Sequence, residues 1–203
     1  MQYIIFDFDG TIADTFPIVE KIAEDIAKRY NIKVDAKEAK RIGFKAALLK
    51  SKFPMWRLPQ TVIEVRKRMA ESIARDAKPI KNVKPVLISL SKKYKLGIVS
   101  SNSKQNVMAF LRRHQLAELF VFVYSDSSIF GKQRVLNRVC KTNIDKKEVT
   151  YIGDEDRDIK AAKKAGINNI AVSWGFNDRS ALEKAKPDVI ISKPKQILKI
   201  LPA

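Results

Sequence analysis

Six short, nearly all-apolar runs rich in β-branched and aromatic residues recur along this 203-residue chain: Tyr3 to Phe6, Leu96 to Val99, Leu119 to Tyr124, Val149 to Ile152, Asn169 to Val172 and Val189 to Ile191. A run without polar alternation is what a strand buried on both faces needs. Between most of the runs the apolar spacing changes to that of a helix. Val107, Phe110 and Leu111 share one face, as do Val135, Leu136, Val139 and Cys140. Ala161, Ala162 and Ala165 line a third helix, with Gly166 placed to end it, and a last helix is expected over Pro194 to Leu201. Strands alternating with helices predict an α/β fold with a parallel sheet and right-handed crossovers.

One stretch departs from the alternation. From Thr15 to about Val83 the pattern shows amphipathic helices and no convincing strand. Ile18, Ile22, Ile26 and Tyr30 form one stripe after Pro17, Asp35 with Glu38 reads as a capping box, and Val62, Val65, Met69 and Ile73 form another stripe. The expected organisation is therefore a sheet core from residues 1–14 and 84–203, with residues 15–83 inserted as a helical cap. That third of the chain holds 17 lysines and arginines against 8 acids, half of the formal excess of +18. Such a field draws anions, whether phosphorylated metabolites, nucleic acid or an anionic surface.

Composition narrows the chemistry. Cys140 is the single cysteine, which excludes an intramolecular disulfide and suits a reducing cytoplasm. His114 is the single histidine, so a histidine metal cage or a Ser-His-Asp triad has little to draw on. No apolar run approaches bilayer length, and the apolar start lacks the basic residues of a signal peptide, so a cytoplasmic location without membrane insertion is expected.

In open α/β sheets the ligand lies beyond the carboxyl ends of the strands. Those ends read Asp7-Phe8-Asp9-Gly10-Thr11, Ser100-Ser101-Asn102, a segment through Ser127 and Ser128 to Gly131-Lys132, and Gly153-Asp154-Glu155-Asp156-Arg157-Asp158. Carboxylates at neighbouring strand tips repel unless a cation sits among them. Oxygen ligands with no histidine or thiol indicate Mg2+, which shares its shell readily with phosphate. A carboxylate such as Asp7 is ordinarily ionised at neutral pH and can attack phosphorus without a separate base. Asp9, one pleat further on, can protonate the departing oxygen and then take a proton from water. Gly10 allows a sharp turn. Ser101, Asn102 and Lys132 can hold the phosphoryl oxygens. Glu155 and Asp156 read as helix-start acids rather than metal ligands.

This ordered set resembles the haloacid dehalogenase superfamily, most closely its phosphatase branch and phosphoglycolate-phosphatase-like members. Asp7 to Thr11 is similar to the first motif, Ser101-Asn102 to the second, Lys132 to the third, and Gly153-Asp154 with Asp158 to the fourth. The stretches "DIKAAKKAGINNIAVSWGF" and "KPDVIISKPKQILKIL" carry the likeness to the end of the chain. The resemblance implies a Rossmann-like core with a helical cap after the first motif. It also implies Asp7 as nucleophile, Asp9 as acid and base, and Gly10 and Thr11 near the phosphate. The metal site would comprise Asp7, the Asp9 carbonyl and Asp154, supported by Asp158. Gln133 and Arg134 stand where the family often has prolines, so Lys104 or Arg134 is an alternative to Lys132.

The dehalogenating members lack an aspartate at the position of Asp9, so this residue favours phosphoryl transfer. Hydrolysis of a small anionic phosphate monoester is the expected reaction, and a phosphomutase would use the same pair of aspartates. Arg41, Gly43, Phe44 and Lys45 fall where related caps present a specificity loop, and a cationic cap suits a second anionic group on the substrate. The competing reading is a basic nucleic-acid-binding protein on a phosphatase-like scaffold, with Phe53, Trp56 and Arg57 stacking on bases. Trp56 lies between Pro54 and Pro59, where an aromatic is expected to pack its loop onto the core.

Overall fold

The computed structural model describes residues 2–33, 49–51, 53–126, 131–140 and 145–201. Arg41, Gly43, Phe44 and Lys45, the Asp35–Glu38 capping box, and Ser127 and Ser128 lie outside the described residues.

Six strands form one wholly parallel sheet. They are β1 (Tyr3–Phe6), β4 (Lys95–Ser100), β5 (Phe120–Ser125), β6 (Val149–Gly153), β7 (Asn168–Val172) and β8 (Val189–Ile191). Their order across the sheet is β5-β4-β1-β6-β7-β8. The chain runs outward from β1 through β4 to β5, then returns to the opposite side of β1 for β6. That reversal puts the switch point at the tips of β1 and β6, where such sheets bind ligands.

The unbroken apolar runs have a direct structural cause. Successive side chains of a strand face opposite sides, and here both sides are covered. Ile4, Phe6, Leu96 and Ile98 join one core layer with α3 (Val83–Ser91) and α4 (Lys104–Arg113). Ile5, Val99 and Tyr151 join the other with α5 (Gly131–Cys140) and α6 (Asp156–Ala165). Gly166 ends α6 at φ 73°, the left-handed C-terminal cap that its position predicts. The final segment is shorter in regular structure than expected: a 3-10 turn over Pro194–Gln196 leads into a four-residue α8 (Ile197–Ile200), after α7 (Arg179–Lys184).

Among the described residues, two long helices lie between β1 and β4, α1 (Phe16–Arg29) and α2 (Leu58–Asp76). Pro17 occupies the first turn of α1, where its missing N–H costs nothing. The predicted stripe is real: Ile22 and Ile26 are buried with Phe53, and Ile18, Tyr30, Val65 and Met69 pack around them. Burying one such isoleucine contributes roughly 1.5–3 kcal/mol. Arg68 reinforces the seam from α2, pairing with Asp25 and approaching Glu64 at 3.7 Å.

Two expectations need correction. A strand does occur between Thr15 and Val83: β3 (Lys78–Pro79) pairs antiparallel with β2 (Ala13–Asp14), matching Ala13 to Pro79 and Asp14 to Lys78. Two residues, one of them proline, carry no periodic signal. Trp56 does not pack onto the core. It is 72% exposed, and the guanidinium of Arg57 lies over its ring at 4.4 Å, while Phe53 takes the buried position.

Candidate active site

Every strand tip facing the switch point delivers a polar side chain. β1 ends at Phe6 and the next residue, Asp7, is almost fully buried. Its backbone N–H donates to the Ile152 carbonyl at 2.8 Å, which ties the tip of β1 to that of β6. Gly10 then turns the chain at φ 73°, a left-handed conformation that a side chain would strain. A Cβ there would stand 2.2 Å from Asp154 Oδ2. Gly175, beyond the end of β7, leaves room on another side, since its Cβ would also come within 2.2 Å of that oxygen. Asp154 thus sits in a cradle that only glycines can form.

Asp154 is fully buried and held at both oxygens. Thr11 Oγ1 donates to Oδ1 at 2.9 Å, and the Phe176 N–H donates to Oδ2 at 2.7 Å. Asp158, on the first turn of α6, is also fully buried. Its Oδ1 receives Lys132 Nζ at 2.5 Å and its Oδ2 receives the Glu155 N–H at 3.1 Å. Glu155 and Asp158 complete a reciprocal capping box, so the acids of this helix start are used as the sequence indicates. Arg157 closes on Glu155, and Asp156 pairs with Lys160 at 2.5 Å.

Lys132 reaches the same cluster from the first turn of α5. Its Nζ lies 2.7 Å from Asp7 Oδ2, with both side chains nearly sealed from solvent. Tyr151 adds a third partner: its hydroxyl interacts with Lys132 and donates to the Val99 carbonyl at 3.0 Å. Burial alone would lower the lysine pKa, but the Asp158 and Asp7 carboxylates outweigh it and hold Lys132 well above the usual lysine range. Of the alternatives, Arg134 instead approaches Asp126 at 3.8 Å.

Asp9 faces a different neighbour. Asn102 Nδ2 donates to both of its oxygens, at 3.2 and 3.1 Å. Burial raises the Asp9 pKa, and the Asn102 hydrogen bond moderates the rise. The buried Thr15 hydroxyl also favours the ionised form, although its geometry falls short of a hydrogen bond. Ser101, half-buried, follows β4, and the preceding Ser100 accepts the Asn102 N–H at 3.0 Å.

Asp7, Asp154 and Asp158 each offer a carboxylate oxygen, and these atoms lie within 4.8 Å of one another. Three buried acids facing one lysine leave negative charge without compensation, which is costly in a dry site. Burial pushes the Asp7 carboxyl up to about 8, with Lys132 opposing and Asp158 adding to the rise. Asp154 is pushed well above the ordinary carboxylate range, first by burial and then by Asp7. An all-oxygen donor set with excess negative charge fits a hard divalent cation.

Several participants escaped the sequence. Tyr151 reads as one more apolar residue of a buried strand, and nothing in the pattern marks its hydroxyl. The Gly175-Phe176 loop was findable, because the strand-end rule applied to β7 points to it.

Residues 4–172 match the family model described as haloacid dehalogenase-like hydrolase. A phosphoglycolate phosphatase from Synechococcus elongatus is 34% identical over 204 residues, covering 98% of this chain and 96% of that protein. A phosphorylated carbohydrates phosphatase from Thermotoga maritima is 28% identical, with 99% and 98% covered. Among solved structures, a haloacid dehalogenase-like family hydrolase from Streptococcus pneumoniae superposes with a TM-score of 0.85 at 21% identity, covering 99% and 98% of the two chains. With Asp7 and Asp154 at the adjoining tips of β1 and β6, Lys132 reaching Asp7 from α5, and the family model spanning most of its length, the chain belongs to the haloacid dehalogenase-like hydrolases.

Proposed function

We propose that this protein is a Mg2+-dependent phosphatase that hydrolyses a small anionic phosphate monoester through an aspartyl-phosphate on Asp7. The observation that carries this reading is the gathering of Asp7, Asp154 and Asp158 within 4.8 Å beside a lysine bound to the first of them. In the proposed sequence a carboxylate oxygen of Asp7 attacks phosphorus, and the phosphorus–oxygen ester bond breaks. Asp9 gives its proton to the departing alkoxide. It then takes a proton from the water that attacks the phospho-aspartate, releasing inorganic phosphate and restoring Asp7. Lys132 offsets charge on Asp7 and on the phosphoryl oxygens, with Ser101, Asn102 and the backbone at Gly10 and Thr11 completing the phosphate cradle. Mg2+ would be held by Asp7, the Asp9 carbonyl and Asp154, with Asp158 in support, and would neutralise phosphoryl charge.

The same reading makes residues 15–83 a cap, entered and left beside the β2–β3 pair, with Arg41, Gly43, Phe44 and Lys45 as its specificity loop. A basic cap suits a substrate with a second anionic group. The 34% identity to a phosphoglycolate phosphatase supports phosphoglycolate as the first candidate. A cytoplasmic setting fits one cysteine and the finding that no described helix is long and apolar enough to cross a membrane.

The test is a panel of phosphorylated metabolites and p-nitrophenyl phosphate assayed with and without Mg2+. The reading expects phosphate release that requires the metal, is lost in Asp7→Asn, and in Lys45→Ala is weakened for phosphoglycolate while p-nitrophenyl phosphate is spared. Release without metal, or undiminished in Asp7→Asn, contradicts it.

A further inference from the structure

We propose that Asn106, outside the four motifs, is a positioning residue that keeps Asn102 turned so that its amide nitrogen faces Asp9. The inference rests on the reading of Asp9 as the proton donor to the leaving group.

A carboxamide has two ends of nearly equal shape and opposite hydrogen-bonding character, so something must decide which end meets a carboxylate. Here the decision is made on the far side of Asn102. Its Oδ1 accepts two hydrogen bonds, from the Ser103 backbone N–H at 2.8 Å and from Asn106 Nδ2 at 2.9 Å. With the oxygen engaged there, Nδ2 is directed at both Asp9 oxygens, at 3.2 and 3.1 Å. The reversed amide would set oxygen against carboxylate on one side and nitrogen against two N–H donors on the other. Each wrong pairing leaves a donor or acceptor unmet in a half-buried site.

Asn106 is itself fixed. It lies in the first turn of α4, and its backbone N–H donates to Ser103 Oγ, the helix cap, at 3.2 Å. The helix start therefore does two jobs at once: the backbone of residue 106 completes the cap while its side chain sets the amide. Ser125 Oγ donates to the Asn102 carbonyl and ties the same residue to β5. The path runs from α4 through Asn102 to the acid, with no contact between Asn106 and Asp9 required.

The consequence depends on the leaving group. A nitrophenolate leaves with little help, whereas an alkoxide needs a proton delivered in the transition state. Hydrolysis of the phospho-aspartate, where Asp9 acts as base, is common to both esters and does not enter kcat/KM, so loss of Asn106 should lower kcat/KM on alkyl phosphates and spare it on p-nitrophenyl phosphate. General damage to the site would lower both.

The experiment compares wild type, Asn106→Ala, Asn106→Asp and Asp9→Asn on p-nitrophenyl phosphate and on the best alkyl phosphate of the metabolite panel. Expected for Asn106→Ala is a kcat/KM about tenfold lower on the alkyl ester, with the p-nitrophenyl phosphate kcat/KM unchanged within about twofold. Asn106→Asp, which sets a carboxylate against Asn102 Oδ1, should fall further on the alkyl ester. Activity on p-nitrophenyl phosphate shows that each variant is folded and its site assembled. Should Asp9→Asn lose alkyl ester activity selectively while Asn106→Ala affects both esters equally or neither, the positioning role is overturned and the reading of Asp9 stands. Should Asp9→Asn show no leaving-group dependence in kcat/KM, the reading of Asp9 falls and this inference with it.

Discussion

Lys132 Nζ stands 2.7 Å from Asp7 Oδ2, and both side chains are nearly sealed from water. A buried pair of this kind is expensive to break from one side, because the remaining charge stays in the protein without its partner. Lys132→Met should therefore lower unfolding free energy by about 3–5 kcal/mol in metal-free protein. It should also reduce turnover severely. Urea denaturation at pH 7 checks the first statement, and the phosphatase assay checks the second.

Asp7→Asn should behave in the opposite sense. It removes the acid that burial first, and repulsion from Asp158 second, push up to about 8. The metal-free variant should be more stable than metal-free wild type at pH 8, by roughly 1–2 kcal/mol, a size typical of relieving one unfavourable contact. Its stability should also respond less to Mg2+. Thermal melts in chelator and in Mg2+ decide both points, and a less stable metal-free variant would show that the pair with Lys132 outweighs the repulsion.

The pH dependence follows from the same group. Asp7 moves from an ordinary value of 3.8 to about 8 in the folded, metal-free protein. A raised folded pKa gives a contribution that is fully present below about pH 4 and is lost as pH climbs through about 8. Metal-free protein therefore forfeits the remaining part of this contribution on going from pH 6 to pH 8. A cation bound among the carboxylates competes with protons and must displace them. The gain in melting temperature on adding saturating Mg2+ should thus be larger at pH 8 than at pH 6. An equal or smaller gain at pH 8 would contradict proton competition at these acids.

Gly175→Ala isolates the geometry of Asp154. The new Cβ would fall 2.2 Å from Asp154 Oδ2, and no left-handed backbone complicates the substitution. Asp154 must shift or give up the Phe176 N–H. Disturbing a ligand's support typically costs 10- to 100-fold in metal affinity. Titrating activity against Mg2+ should show the half-saturating concentration rising by about that factor, about tenfold or more. An unchanged titration would mean that Asp154 does not bind the ion.

How much of this was legible in the sequence can be judged residue by residue. The sheet strands were visible because burial on both faces leaves no polar alternation, as in Ile4, Ile5 and Phe6, which feed opposite core layers. Asp7 and Asp154 were visible because an acid at the end of such a run has little structural reason to be there, and Lys132 because it matches the third motif of the family resemblance. The β2–β3 pair was not, since two residues are too few to show a period. Trp56 misled because flanking prolines suggest a packed loop, whereas Phe53 fills that core position. Tyr151 and Asn106 were hidden for another reason: each acts through one hydrogen-bonding atom on an element whose pattern is set by packing or capping.

The central claim is that Asp7 accepts the phosphoryl group, and trapping tests it most directly. Enzyme turning over an alkyl phosphate with Mg2+ is quenched in acid, digested, and its peptides weighed by mass spectrometry. The account predicts one added phosphoryl group on the peptide containing Asp7, cleaved by hydroxylamine and absent in Asp7→Asn. Steady turnover with no phosphoryl group on that peptide, or with the group on another residue, would contradict it.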